Sequence, residues 1–138
     1  WWAIAISALV FGLVHISNDN ATWWSSLAIA LEAGIMLALA YKYTNTLWFP
    51  IGIHWAWNYT QGNILGFAVS GTDAGTTLFS STVSGPDILS GGDFGAEASL
   101  IAVIIGLAIS VFFYLEIKKR ESDVVEIPAV EKEESNES

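Results

Sequence analysis

The sequence predicts an all-α protein, a polytopic transmembrane helical bundle with about four spans in 138 residues. Three observations point there. Apolar residues make up 53% of the chain and mean hydropathy is +0.50, which is too apolar for an ordinary soluble domain. They gather into four segments near the roughly 20 residues that a helical span needs. All five Lys and Arg residues fall on one side of the resulting bundle, the pattern of the positive-inside rule. A soluble helical bundle is the rival fold, and the fourth segment disfavours it because it has no polar face to offer water.

The first segment runs from about Trp1 to Ile16 and opens in Trp1-Trp2-Ala3-Ile4-Ala5-Ile6 with no basic region before it, so it does not read as a signal peptide. A few upstream residues would bring it to span length, and the chain is expected to be part of a longer protein. The second segment covers about Leu27 to Tyr43. The third covers about Leu47 to Val69, with Pro50 in its first turn, where a missing N–H costs little. The fourth, about Ala98 to Ile117, is continuously apolar. Between the third and fourth, Gly71 to Gly95 is rich in Gly, Ser, Thr and Asp and reads as a loop or surface re-entrant segment. The domain reading is therefore a transmembrane core over residues 1–117, with an external loop at about 71–95, and an acidic, disordered cytoplasmic tail over residues 118–138.

Orientation follows from Lys118, Lys119 and Arg120, which cap the fourth segment and put its end in the cytoplasm. Counting back, the turn carrying Lys42 is inside, and the connections at 17–26 and 71–95 are outside. The expected setting is the plasma membrane of a prokaryote. Net charge is −9, and eight of the fourteen acids lie between Glu116 and Glu137, a stretch without an aromatic residue, which is the composition of a solvated tail. The shortage of Lys and Arg disfavours a nucleic-acid partner. Without Cys, disulfides, thiolate zinc sites and cysteine nucleophiles are excluded. Trp1, Trp2, Trp23, Trp24 and Trp48 read as interfacial anchors. Gly62 and Gly66 read as a Gly-x-x-x-Gly helix contact, and Asp73, Asp87, Asp93 and Glu97 as solvated acids, since their spacing matches no calcium loop.

Strongly polar side chains within a span are expensive unless paired or functional. Here they are few: His15, Glu32, His54 and Asn58. His54 and Asn58 are four residues apart, which puts both on one helix face about 5–6 Å apart at Cβ. Phe11 and His15 share that spacing, so the phenyl ring packs beside the imidazole and limits its rotamers. Two His and one Asn from separate spans, with no third His in the chain, favour a shared site over isolated structural residues. Glu32 is expected as a neutral, hydrogen-bonded residue packed between helices, in a supporting rather than a basic role. Trp55 and Trp57 flank the later motif as groove walls or as simple packing.

The run Phe11-Gly12-Leu13-Val14-His15 has the pattern Phe-x-x-x-His, and His54-Trp55-Ala56-Trp57-Asn58 has His-x-x-x-Asn. Between them lies Thr44-Asn45-Thr46-Leu47-Trp48-Phe49-Pro50-Ile51-Gly52-Ile53, a threonine turn leading through Leu-Trp and Pro-Ile. Together these resemble the CPBP intramembrane proteases, which include the type II CAAX prenyl proteases and bacteriocin-processing or immunity proteins. The resemblance implies an endopeptidase that hydrolyses a peptide bond inside the bilayer. A water activated by a glutamate and the histidine of Phe-x-x-x-His attacks, and the His and Asn of the later motif stabilise the oxyanion. Carried over, His15 is the water-activating partner, and His54 and Asn58 are the oxyanion donors; buried donors of this kind act strongly on developing negative charge. The family's glutamate belongs to a Glu-Glu-x-x-x-Arg motif that does not occur here, the only Arg being Arg120. The fragment by itself is therefore expected to be inactive.

The preferred mechanism requires no cofactor, although His15 and His54 with a carboxylate also make a plausible zinc set. Expected partners are the lipid bilayer and a peptide or membrane-protein substrate. Two other functions fit the same residues: a catalytically silent scaffold or bacteriocin-immunity protein, and a proton-coupled transporter relaying through His15, Glu32 and His54. Helical rise raises a difficulty of depth, placing His15 at least ~20 Å along its span but His54 only ~10 Å into its own from the same side.

Overall fold

The computed structural model describes residues 1–125, and the remainder of the acidic tail, Lys132 included, lies outside the described residues. The described residues form helices and connecting loops, with no strand beyond one isolated bridge between Val69 and Thr72. Helix α1 (Trp2–Val14) ends in a 3-10 turn, His15–Ser17. Helix α2 (Trp23–Thr44) and helix α3 (Trp48–Asn58) follow, then a short α4 (Asp87–Ser90) and the long α5 (Leu100–Val125).

Two of these helices are long and apolar enough to cross a membrane, Trp23–Thr44 and Leu100–Asp123, while Trp2–Ser17 is shorter. Many large side chains point outward. On α5, Ile101, Ile104, Val111, Phe112 and Leu115 are exposed, and on α1 so are Trp2, Ile6, Leu9, Leu13 and Val14. A contiguous apolar exterior of this extent suits hydrocarbon and not water.

Helix α2 is the centre of the bundle, in contact with α1, α3 and α5. Thr22 starts it: its hydroxyl accepts from Ser25 N–H while Ser25 Oγ accepts from Thr22 N–H, a reciprocal cap. Asn45 ends it in the left-handed region at φ 53°, a conformation Asn tolerates better than most residues. Met36, Leu39 and Ala40 of α2 pack with Phe113 and Ile117 of α5 as one buried cluster. Small residues let the neighbours come close. Cβ atoms placed on Gly12 and Gly34 would sit 2.7 Å from Ala30 Cβ and 2.8 Å from Ala8 Cα, so α1 and α2 meet along a small-residue seam, a common means of close packing in lipid.

Two π-turns interrupt the helices, Ala30–Gly34 inside α2 and Tyr59–Ile64 at the end of α3. Each adds one residue to a turn, which re-aims the side chains after it, and such insertions recur at functional sites. Here the first contains Glu32 and the second begins immediately after Asn58.

Several details depart from the sequence reading. The third segment is helical only to Ile64, and the chain then folds back on itself through Val69 and Thr72. Gly66 lies beyond that helix at φ 73°, and Gly62 faces Ala74 and Val69 rather than another helix; the spacing that suggested a helix contact belongs to a helix stop. A Gly66→Ala variant is expected to lose about 1–2 kcal/mol of stability, read as a lower melting temperature in detergent. Trp24 is half-buried and donates from Nε1 to Ala98 O at 2.8 Å, so it ties α2 to the loop and is not a free interfacial anchor. Helix α5 continues past Ile117 to Val125, supported at its end by Arg120 Nη1 donating to Tyr43 O at 3.0 Å and by a Lys42–Glu121 ion pair at 3.0 Å.

Candidate active site

His15 stands where α1 tightens into its terminal 3-10 turn. Its Nδ1 lies 2.6 Å from Phe11 O. A carbonyl only accepts, so Nδ1 carries the hydrogen of that bond, and in the neutral ring Nε2 keeps the lone pair. The phenyl ring of Phe11 packs 4.8 Å from the His15 ring and, edge-on, 5.6 Å from the His54 ring. It therefore acts as a spacer between two imidazoles from different helices. This contact sets Phe11, and not His15, beside His54, and His15 lies one turn further along the chain.

His54 and Asn58 share a face of α3, and Asn58 Nδ2 donates to His54 Nε2 at 3.2 Å. The second hydrogen on Nδ2 is left for another acceptor. In this arrangement His54 is itself the acceptor, and it becomes a donor only when its Nε2 carries the hydrogen and Asn58 has turned. Trp55 stacks on Tyr59 at 5.4 Å and borders a wide apolar groove, whereas Trp57 borders the small cavity described next.

That cavity has a volume of about 20 Å³, room for roughly one water molecule. Phe11, His15, Glu32, His54 and Asn58 all line it, so the four polar residues that the sequence singled out border one small space. Glu32 is only 5% exposed. It differs from expectation in one respect: among the described residues its carboxyl makes no hydrogen bond. The reason is its place on a π-turn, which aims it at the cavity while Gly106 of α5 packs against its backbone.

Glu97 corrects the sequence reading most. Expected in solvent, it is 3% exposed and lines the same cavity. Its Oε1 accepts from Ser70 Oγ at 2.6 Å and from Ser70 N–H, and its Oε2 accepts from Gln61 Nε2. Gln61 Nε2 also donates to Ala68 O at 2.6 Å, and Asn18 Nδ2 to Ser70 O at 3.0 Å. Spacing gave no hint of this, because the residues that hold Glu97 are 27 and 36 positions away. The available signal was its position immediately before the most apolar segment, where the loop returns to the bundle.

The cavity lies between two openings. On one side is a groove of about 910 Å³, bordered by Ile4, Leu37, Tyr41, Leu47, Ile51 and Trp55, which shares Phe11, His54 and Asn58 with the cavity. On the other is a depression of about 410 Å³ beside Asn63, Thr72 and Asp73, which shares His15, Asn58 and Ser70 with it. Among the described residues no group of three or more His, Asp or Glu converges as a metal set.

The family model described as Type II CAAX prenyl endopeptidase Rce1-like matches residues 1–60. The match takes in Phe11, His15, Glu32, His54 and Asn58 and ends before Gln61 and Glu97. No curated protein and no solved structure matches the chain.

Proposed function

We propose that the protein is an intramembrane endopeptidase, a reading that starts from the match of residues 1–60 to the Type II CAAX prenyl endopeptidase Rce1-like family model. One observation carries the reading: His15, with its Nδ1 hydrogen committed to Phe11 O, faces the His54–Asn58 pair across a cavity of single-water size. His15 Nε2, acting with a glutamate, takes the proton of that water as its oxygen bonds to the scissile carbonyl carbon. The carbonyl oxygen becomes an oxyanion held by Asn58 Nδ2 and by His54, whose mutual bond gives way to it. Collapse of this intermediate breaks the C–N bond, and the proton passes from His15 to the leaving amine.

The apolar groove supports entry of a peptide or membrane-protein segment from the bilayer, and the polar depression supports entry of water from the loop side. About four spans, with α1 and α3 crossing alongside α2 and α5, and a cytoplasmic C-terminus complete this reading. The reaction needs no resident metal. Residues 1–138 by themselves are proposed to be inactive, because no Glu-Glu-x-x-x-Arg motif occurs in them.

The test is cleavage of membrane-inserted peptides by the full-length protein in liposomes. Asn58→Asp keeps the shape of the side chain but removes its donors, and kcat is expected to fall about 10²–10³-fold with little change in KM. Unaltered kcat in this variant would remove the oxyanion role. A wild-type protein that cleaves nothing, while remaining folded, would favour the silent scaffold of the same fold.

A further inference from the structure

Glu97 is a buried carboxylate outside the matched residues, and it borders the space where the peptidase reading puts the nucleophilic water. Two features separate it from Glu32, the other carboxyl on that cavity. First, three donors fix it: Ser70 N–H and Ser70 Oγ hold Oε1, and Gln61 Nε2 holds Oε2. A group immobilised in this way has already lost the conformational freedom that orienting a reactant requires. Second, the three bonds do not exhaust it. A carboxylate offers about four acceptor directions, and Oε2 has accepted only one hydrogen.

The surrounding network connects Glu97 to both halves of the site. Ser70 is held at φ 49°, a left-handed conformation unusual for Ser, and its carbonyl accepts from Asn18, three residues after His15. Gln61 lies three residues after Asn58, inside the π-turn that closes α3. The end of α1, the end of α3 and the entry to α5 thus meet at one carboxylate. Gln61 is needed for this junction but does not itself border the cavity.

We propose that Glu97 is a further catalytic residue of the site: its Oε2 accepts a hydrogen bond from the nucleophilic water and turns that water's lone pair toward the scissile carbonyl carbon. The inference rests on the peptidase reading. In the step, one O–H of the water points to Glu97 and stays bonded as the C–O bond forms. The other proton goes to His15 Nε2 and the carbonyl π electrons go to the oxyanion. When the C–N bond breaks, the proton passes from His15 to the amine, so the products are a carboxylic acid and an amine and Glu97 is unchanged.

Glu97→Gln and Gln61→Leu in the full-length protein separate this role from that of a structural clasp, since both variants break the Gln61–Glu97 bond but only the first changes the group facing the water. Both are expected to lower the melting temperature. Glu97→Gln is expected to lower kcat by about 10²-fold with KM within about threefold, and Gln61→Leu to lower kcat by less than about tenfold. Equal losses of kcat in the two variants, or a Glu97→Gln enzyme within threefold of wild type, would overturn the proposal. If Glu97→Gln does not fold, Glu97→Asp, which withdraws the carboxylate by one methylene, is expected to lose about tenfold in kcat at unchanged KM, and full activity there would overturn it. Should the wild-type protein cleave no peptide, the histidine ring ¹⁵N resonances still decide. Those of His15 are expected to move between wild type and Glu97→Gln at fixed pH, and coincident spectra would show that Glu97 and His15 share no water.

Discussion

Replacing His15 with alanine is expected to abolish peptide cleavage by the full-length protein, lowering kcat by about 10³–10⁴-fold while leaving the fold intact. The magnitude follows from what a positioned base contributes, about 10²–10⁴, taken at the upper end because the cavity has room for about one water and His15 Nε2 is the nitrogen left to take its proton. His54 Nε2 is occupied by Asn58. The fold should survive because His15 is half-buried at the end of α1 and, among the described residues, its side chain bonds only to Phe11 O, one turn back along the chain. Steady-state cleavage together with a thermal melt checks both halves. A melting temperature near wild type with kcat reduced less than tenfold would exclude His15 as the water-activating residue.

Gly106→Val is expected to cause a large loss of stability at a helix seam, about 1–3 kcal/mol or more. A Cβ at that position would meet Glu32 Cα at 2.6 Å and Glu32 Cβ at 2.8 Å. These are atoms of the π-turn and its first side-chain carbon, so no flexible side-chain tip can swing aside, and α5 must move away from α2. Glu32 would move with the turn, and cleavage should fall in parallel with the melting temperature. Gly52 is the internal control. It lies on the exposed side of α3 with no atom within 4 Å of an added Cβ, so Gly52→Ala should be neutral or stabilising by up to ~1 kcal/mol. Equal melting temperatures for Gly106→Val and wild type would mean that α5 does not depend on close approach to the π-turn.

The parts of the site that could be read in the sequence were those encoded by helical repeat. Phe11 with His15, and His54 with Asn58, are each four residues apart on a regular helix, where the backbone alone makes the two side chains neighbours. Pro50 in the first turn of α3 was legible for the same reason, being a local constraint with a local consequence. The two π-turns were not legible, because an i+5 bond leaves no periodic mark over five or six residues. Glu32 was placed between helices correctly but lacks the hydrogen bond expected for it, since the extra residue in its turn aims the carboxyl at the cavity. Gly66 was misread because Gly-x-x-x-Gly describes a helix contact only while the helix lasts, and this helix stops at Ile64.

From the sequence alone came the all-helical, apolar character of the chain, its likeness to CPBP proteases and the two motif pairs, since each depends on composition or on neighbours within one turn. Tertiary structure decided that both imidazoles border a single cavity with Phe11 between them, and that Glu97, drawn out of the loop by Ser70 and Gln61, borders it as well. The physical reason is range. Helical geometry sets distances across four residues, whereas the burial of a loop carboxylate depends on donors 27 and 36 residues away, which only the packed bundle brings to it.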